Sequence, residues 1–552
     1  MNFFNFYTIN TYFFYLLDDY FTILYNNFCM MKTTFKTDIL IIGTGIGGCT
    51  TAITAADSGC KVIILTSGKD VEKSSTTRAQ GGIIYKGIKD SQKSLVNDIE
   101  SAGDGICNPE AVRHLVKEGP KLVKSFLIDR VGVLFDKNKK GKFDLTREGG
   151  HSVERIIHCS DSTGKSIAEA LWKQIRKHKN ITVFTKTTAI DLITTSHHSL
   201  NFADTYRPIT CVGAYVLKQT PHKTIKILAK ETVLATGGLG QVYLHTTNGA
   251  GSRGDGFAMA LRASARIANM EFVQFHPTTL YGTDADNFLI TESLRGEGGI
   301  LINADGEKFA KKYHKLGSLA PRDIVSRAIH NEMQKNHQSF VYLDISHKPA
   351  EWLKKRFPTI YKKCLEHKID ITKMPIPIVP AAHYACGGVM VDKLGQTSVP
   401  RLRAVGEVSC TGVHGANRLA STSLLEALVW GIWTGKDIVK KVSEKRKFFF
   451  PKIAPWIEKN EEVDISLLNQ DWMIIRHTMW NYVGLIRGER RLRRAQRILR
   501  ELQTEVETFY RRVAMSDEII GLRNGLQTAR AVLYGAIRNA RSKGCHYREE
   551  QK

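Results

Sequence analysis

TDILIIGTGIGGCTTAITAADSGCKVIIL, residues 37–65, is the stretch that decides the fold. The apolar run at 39–42 suits a strand buried on both faces, where Ile and Leu follow one another instead of alternating with polar residues. Gly43, Gly45 and Gly48 then spell G-x-G-x-x-G, with Thr44, Ile46 and Gly47 between them. Small residues lead on to a second apolar run at 61–65. Gly43 permits a tight turn, Gly45 lets a phosphate approach the backbone, and Gly48 lets helix and strand pack closely. The spacing predicts strand, turn, helix and second parallel strand, with a pyrophosphate on the helix N-terminus. Three glycines alone also make an ordinary turn; the strand before them and the helix and strand after them favour a dinucleotide site. The usual fingerprint ends its second strand on Asp or Glu for a ribose, whereas this chain has Leu65, Thr66 and Ser67, which leaves the ribose contact open.

Around this unit, 552 residues are too many for one core and suggest about three domains. Hydrophobic content of 42% and charged content of 24% are those of a globular protein. A net charge of +25 would attract anions, but Lys and Arg are spread through the chain and read as a solvated surface. No nucleic-acid motif accompanies the charge, and neither a nucleic acid nor a membrane is expected as a partner. The densest basic run, residues 487–500 (RGERRLRRAQRILR), carries Leu492, Ala495, Ile498 and Leu499 at helical spacing and predicts a basic helix packed by its apolar stripe. The 10 cysteines include no CxxC pair, which argues against disulfides, structural zinc and an iron–sulfur cluster. No metal is expected, and a reducing cytoplasm is the simplest location. The first thirty residues have no Lys or Arg before Lys32, and Asp18 and Asp19 interrupt their apolar content. They fit neither a signal peptide, a transit peptide nor a membrane span, so translation is expected to begin at Met30 or Met31.

Residues 74–82 (Ser74, Ser75, Thr76, Thr77, Arg78, Ala79, Gln80, Gly81, Gly82) are similar to the flavin-contacting segment of the fumarate reductase, succinate dehydrogenase and L-aspartate oxidase flavoproteins. Further matches are ATGG at 235–238, Gly254, Asp255 and Gly256, and the segment 402–426 with Gly406, Glu407, Ser423 and Leu424. Taken singly, each glycine pair is as well explained by a loop that needs positive φ. The resemblance implies FAD, held by the residues of the first glycine turn together with Ser67, residues 75–82, Asp255, Glu407, Ser423 and Leu424. In the family the acidic residue matching Glu407 lies near the ribose–ribityl part. Members that attach FAD covalently carry a His five residues before the Gln of AQGG; Ser75 stands there, which implies non-covalent FAD.

Three segments resemble the family's dicarboxylate site: FHPT at 275–278, LITESLRGEG at 289–298 and LAPRD at 319–323. His383, in AAHYACGG, and Arg418, in HGANRLAS, lie just beyond them. The resemblance implies that His276, Thr291, His383 and Arg418 hold two carboxylates, and a C4 dicarboxylate does call for a guanidinium and further donors. On its own His276 reads as a loop histidine and Arg418 as a surface ion-pair partner. Arg322 matches the family's proton donor, although arginine parts with its proton reluctantly and charge stabilisation is the alternative role. LTREGGHS at 145–152 resembles the segment typical of L-aspartate oxidases. Aspartate differs from succinate by an α-ammonium, and a buried cation needs an anion nearby, so Glu148 is the candidate; the plainer alternative is a surface Glu in a Gly-containing turn.

The expected fold class is α/β: a Rossmann-like FAD-binding domain (38–265 and 381–437) with an inserted α+β capping domain (266–380). A linker (438–464) and a C-terminal helical domain (465–552) follow, and residues 1–37 are a disordered or untranslated extension. The family's activity would be oxidation of L-aspartate to iminosuccinate with hydride transfer to FAD, which oxygen or fumarate then reoxidises. The product would feed quinolinate and NAD biosynthesis, with a functional link to quinolinate synthase. A soluble fumarate reductase or succinate dehydrogenase flavoprotein is the alternative.

Overall fold

The computed structural model describes residues 33–70, 74–282, 288–444 and 449–549; the extension and its proposed start at Met30 or Met31 lie outside the described residues. Strand β1 (Thr34–Ile42), helix α1 (Ile46–Asp57) and strand β2 (Val62–Leu65) form the expected unit. β1 and β2 pair in parallel, from Ile39 opposite Val62 to Ile42 opposite Leu65. β3 (Ile181–Phe184), β4 (Thr187–Thr194), β5 (Cys211–Gln219) and β6 (His222–Leu234) complete a sheet of order β3-β2-β1-β6-β5-β4. β6 serves two arrangements. It runs parallel to β1 along its length, while its first half pairs antiparallel with β5 and its last residues pair in parallel with Leu402–Ala404. The carboxyl ends of β1, β6 and Leu402–Ala404 therefore open on one edge, where ligands of open α/β sheets bind. Helix α2 (Asp255–Arg262) follows β6 toward the same edge.

A second, antiparallel sheet has the order β7-β10-β9-β8, from β7 (Val273–Leu280), β8 (Ile300–Ile302), β9 (Val341–Asp344) and β10 (Ile376–Ala385). Helix α3 (Arg322–Lys335) packs on it, and Leu301, Phe309, Ile329, Leu343 and Phe357 belong to a hydrophobic cluster separate from that of the main sheet. Pro277 has no N–H for a ladder, and the β7–β10 register shifts between His276 and Thr279. That irregularity leaves the rings of His276 and His383 5.2 Å apart.

Helix α4 (Thr422–Ser443) lies along α1 at close range: a Cβ on Gly431 would stand 2.0 Å from Thr50 Oγ1, and Thr51 Oγ1 donates to the Gly431 carbonyl at 3.0 Å. Helices α5 (Ile465–Val483), α6 (Glu489–Tyr510) and α7 (Asp517–Arg538) end the chain, and their buried residues share one cluster with β4, β5 and β6. Leu492, Ala495 and Leu499 are buried and Ile498 half-buried, so the predicted stripe on the basic helix is present. Arg487, read from sequence as part of the exposed basic run, is fully buried instead. Its guanidinium donates to the carbonyls of Val483, Gly484 and Glu271, two of them freed by the end of α5, which gives the cation acceptors inside the fold. Among the described residues nine cysteines are free, no group of His, Cys, Asp and Glu is arranged to hold a metal, and no helix is long and apolar enough to cross a membrane.

Candidate active site

One continuous cavity starts at the glycine turn after β1 and ends under the second sheet. Every site residue nominated from the sequence lines it except Thr77, whose hydroxyl turns away to donate to the Ser74 carbonyl at 2.7 Å. The turn is built as its glycines require. Gly43 has φ +115° and a Cβ there would lie 2.1 Å from the Ala235 carbonyl oxygen; a Cβ on Gly48 would lie 2.3 Å from the Gly43 oxygen. Gly45 has only Thr76 Oγ1 near it, at 3.4 Å, which leaves its cavity side open. Thr76 Oγ1 also accepts the Ile46 N–H at 3.1 Å, tying residues 75–78 to the start of α1. The N-cap residue, Gly45, has no side chain to cap α1, so the positive end of the helix dipole faces the cavity.

The walls suit a flavin dinucleotide. Ser74 Oγ, Gln80 Oε1, Thr236 Oγ1 and Arg418 Nε are buried without a hydrogen-bond partner, and all four residues line the cavity. Such atoms are rarely left unpaired, and a ligand rich in donors and acceptors would satisfy them. Glu407 accepts the Ala385 N–H at 3.0 Å, and burial pushes its carboxyl up to about 7. A Cβ on Gly238 would fall 2.2 Å from the Glu407 carboxylate, so a larger residue there would displace it. Asp255 is held by Arg253 and by Asn524 of α7. Ser75 Oγ lies 3.1 Å from Ser252 Oγ. At the far end Ser421 has φ +56°, in the left-handed region that a serine seldom adopts, and its hydroxyl does not cap α4. The first turn of this 22-residue helix, with Ser423 and Leu424, therefore presents uncapped N–H groups to the cavity.

The substrate end is assembled from both sheets. His276 is buried, and its Nδ1 lies 3.2 Å from the Thr278 N–H and 3.1 Å from the Thr278 carbonyl. The amide N–H can only donate and the carbonyl can only accept, so Nδ1 finds a match in either tautomer. His383 Nδ1 is 2.8 Å from Thr247 Oγ1. Burial, helped for His276 by Arg322 and for His383 by Arg418, holds both rings well below the ordinary histidine range, and they are neutral at pH 7. Arg418 donates to Ser423 Oγ at 3.1 Å and lies over the Tyr384 ring at 4.8 Å. Arg322, the first residue of α3, donates to Glu292 Oε2 at 2.6 Å and to Gln274 Oε1 at 3.3 Å. Thr291 begins the short helix Glu292–Gly296.

Glu148 is buried, and its Oε2 accepts from Ser421 Oγ at 2.6 Å. Burial raises its pKa despite that hydrogen bond and the pull of Arg322 and Arg418. Among the described residues it has no Lys or Arg ion-pair partner, and its other oxygen lies beside Gly81. Three contributors were missed from the sequence. Glu292 was quoted only as part of a motif, yet its burial is outweighed by Arg322 and Arg295 and its pKa falls to about 2. Gln274 donates to Asn417 Oδ1 at 2.6 Å and to the Arg418 carbonyl at 2.8 Å while accepting from Arg322, and so links the two arginines. Tyr384, anchored to Glu426 at 2.9 Å, carries Arg418 on its ring. Gln274 and Tyr384 are neighbours in sequence of His276 and His383, the one signal that pointed to them.

Over most of its length the chain is similar to known flavoproteins. Residues 38–424 match the family model described as an FAD binding domain, and residues 474–552 match that of the fumarate reductase flavoprotein C-terminus. The L-aspartate oxidase of Pseudomonas aeruginosa is 42% identical over 94% of this chain and 96% of its own. That of Yersinia pestis is 44% identical, with coverage of 92% and 95%, and the chloroplastic enzyme of Arabidopsis thaliana is 39% identical, with 92% and 80%. Among solved structures, a quinol fumarate reductase of E. coli superposes with a TM-score of 0.82 at 28% identity, covering 94% of this chain and 92% of that one.

Proposed function

The chain belongs to the L-aspartate oxidase family of FAD-dependent flavoproteins, and on that premise we propose that its cavity oxidises L-aspartate to iminosuccinate. The observation that carries this reading is Glu148: a buried carboxylate without a cationic partner, in one cavity with the donors that two carboxylates need. Arg418 and His383 hold one carboxylate of the substrate, and the His276 ring and the Thr291 hydroxyl hold the other. Glu148 receives the α-ammonium, which succinate lacks. Arg322, kept in place by Glu292 and Gln274, supplies positive charge at the reacting end and is the candidate for proton transfer there. The glycine turn, residues 75–82 without Thr77, Ser67, Asp255, Glu407 and the first turn of α4 hold FAD. With Ser75 at the position of the linking histidine, the attachment is non-covalent. FAD supplies the hydride acceptor, and the protein's share is to fix the α-carbon against it and exclude water.

Fumarate enters the same donor set as the electron acceptor, and oxygen is the alternative. The product serves quinolinate and NAD biosynthesis, which implies a functional link to quinolinate synthase and a cytoplasmic location. The division into FAD-binding (38–265, 381–437), capping (266–380) and C-terminal helical (465–552) domains follows the same reading, and the separate cluster under the second sheet supports the cap. The test is anaerobic flavin bleaching near 450 nm on mixing FAD-loaded protein separately with L-aspartate, D-aspartate and succinate. Bleaching by L-aspartate alone is the expected result; bleaching by succinate alone makes the protein a dicarboxylate oxidoreductase.

A further inference from the structure

Adjoining the main cavity at Glu148 lies a second, water-sized cavity. Gln80, Gly81, Gly82, Glu148 and Thr291 belong to the walls of both. We propose that this small cavity is the outlet for the protons released from the substrate's ammonium group, and that His158 relays them to solvent. The inference rests on the reading that Glu148 meets that ammonium.

The reaction requires an outlet. Converting the α-ammonium of an amino acid to a neutral imine breaks one C–H bond, whose hydrogen leaves with its electron pair to the flavin. It also breaks two N–H bonds, each leaving its electrons on nitrogen, so two protons must go elsewhere. Glu148 as a carboxylate is the base in contact with the ammonium, but it is buried and must be emptied before it can take the second proton. On its main-cavity side stand Arg322, Arg418 and Glu292, two of them cations that oppose the passage of a proton.

The small cavity offers the other direction. Asp161 is one of its walls, but its two oxygens are occupied by the Thr359 N–H at 2.9 Å and the Thr359 hydroxyl at 2.7 Å. Arg356, which pairs with Glu297 at 3.5 Å, takes no proton, and Ser160 and Ser293 are not titratable. His158 is left, whose ring can accept a proton at one nitrogen while giving one up from the other. Its Nδ1 is 3.1 Å from Asp136 and its Nε2 is 3.9 Å from Asp144. Side-chain exposure rises along this path, from 10% at His158 to 41% at Asp136 and 55% at Asp144. A water in the cavity completes the sequence Glu148, water, His158, surface carboxylate, and solvent beyond.

The test uses FAD-loaded enzyme under anaerobic single-turnover conditions. His158→Gln should slow bleaching by L-aspartate roughly tenfold or more while leaving apparent substrate affinity within about twofold. Fumarate reduction by the pre-reduced enzyme should stay near the parent rate. Added imidazole should restore the aspartate rate in proportion to its concentration, and the solvent deuterium isotope effect should rise. The double variant Asp136→Asn, Asp144→Asn, altered only at exposed carboxylates, should shift the rate in the same direction by less, and it carries the test should His158→Gln not fold. An unchanged aspartate rate in both, with Glu148→Gln still selectively inactive on aspartate, overturns the outlet and leaves the reading of Glu148 standing. Equal loss of both reactions in His158→Gln without imidazole rescue makes the residue structural and also overturns it. Loss of both reactions alike in Glu148→Gln removes the role of Glu148, and the outlet with it.

Discussion

Glu148 and Glu292 are buried carboxylates of one cavity, and their neighbours push them in opposite directions. Burial raises Glu148, whereas Arg322 and Arg295 overcome burial at Glu292 and hold it at about 2. Glu148 can accept an ammonium only when ionised, so kcat/KM for L-aspartate should fall as pH drops through a point above the ordinary carboxylate range. Fumarate reduction, which presents no ammonium, should lack that limb; parallel pH profiles of the two reactions check this. Glu148→Gln should reduce aspartate oxidation by roughly 10²-fold or more and fumarate reduction far less. For Glu292 the sign is that of a depressed acid. Its contribution to stability is complete above the unfolded value, about 4.5, and is lost as pH falls toward about 2. Glu292→Gln should therefore flatten the acid side of the stability curve in that window, as read by denaturant unfolding at several pH values.

The first strand–turn–helix element separates folding from cofactor binding glycine by glycine. A side chain on Gly48 meets a backbone oxygen at 2.3 Å, so Gly48→Ala forces α1 away from β1 and should lower apoprotein stability by about 1–3 kcal/mol. A side chain on Gly45 meets only a hydroxyl at 3.4 Å, at ordinary backbone angles and on the cavity side. Gly45→Ala should leave apoprotein stability within about 1 kcal/mol and weaken FAD binding. Thermal unfolding of the apoprotein together with FAD titration distinguishes the two. Both outcomes equal would mean that the turn holds no phosphate.

At the scale of the whole molecule, the C-terminal helices are part of the core. Leu492, Leu499, Ile520 and Leu526 sit in one cluster with Ile190, Val216 and Ile227 of the main sheet. Asn524 of α7 holds Asp255 at the cavity wall. Removing residues 465–552 would uncover the outer face of β4–β6 and should abolish cooperative unfolding, measurable by calorimetry of the truncated chain. Arg487→Ala removes a buried donor shared by three carbonyls, of which Val483 keeps the Tyr243 hydroxyl and Glu271 the Val273 N–H, and should cost about 1–3 kcal/mol.

The local features were legible in the residues themselves. The β-α-β unit follows from an apolar run, three spaced glycines and a small-residue helix, since turn geometry and close packing are decided within about 30 residues. The cavity-lining residues followed from motif resemblance, and all but Thr77 reach the wall. What folding alone decided was the company each residue keeps. Arg487 belongs by spacing to an exposed basic run and is buried because the end of α5 offers it carbonyls. Glu292 became part of the site because Arg322, 30 positions away, closes on it at 2.6 Å. Glu148 gained a path to solvent because His158 lies between its cavity and two surface carboxylates. Pairings of this kind depend on distances between elements remote in sequence, and no local periodicity records them.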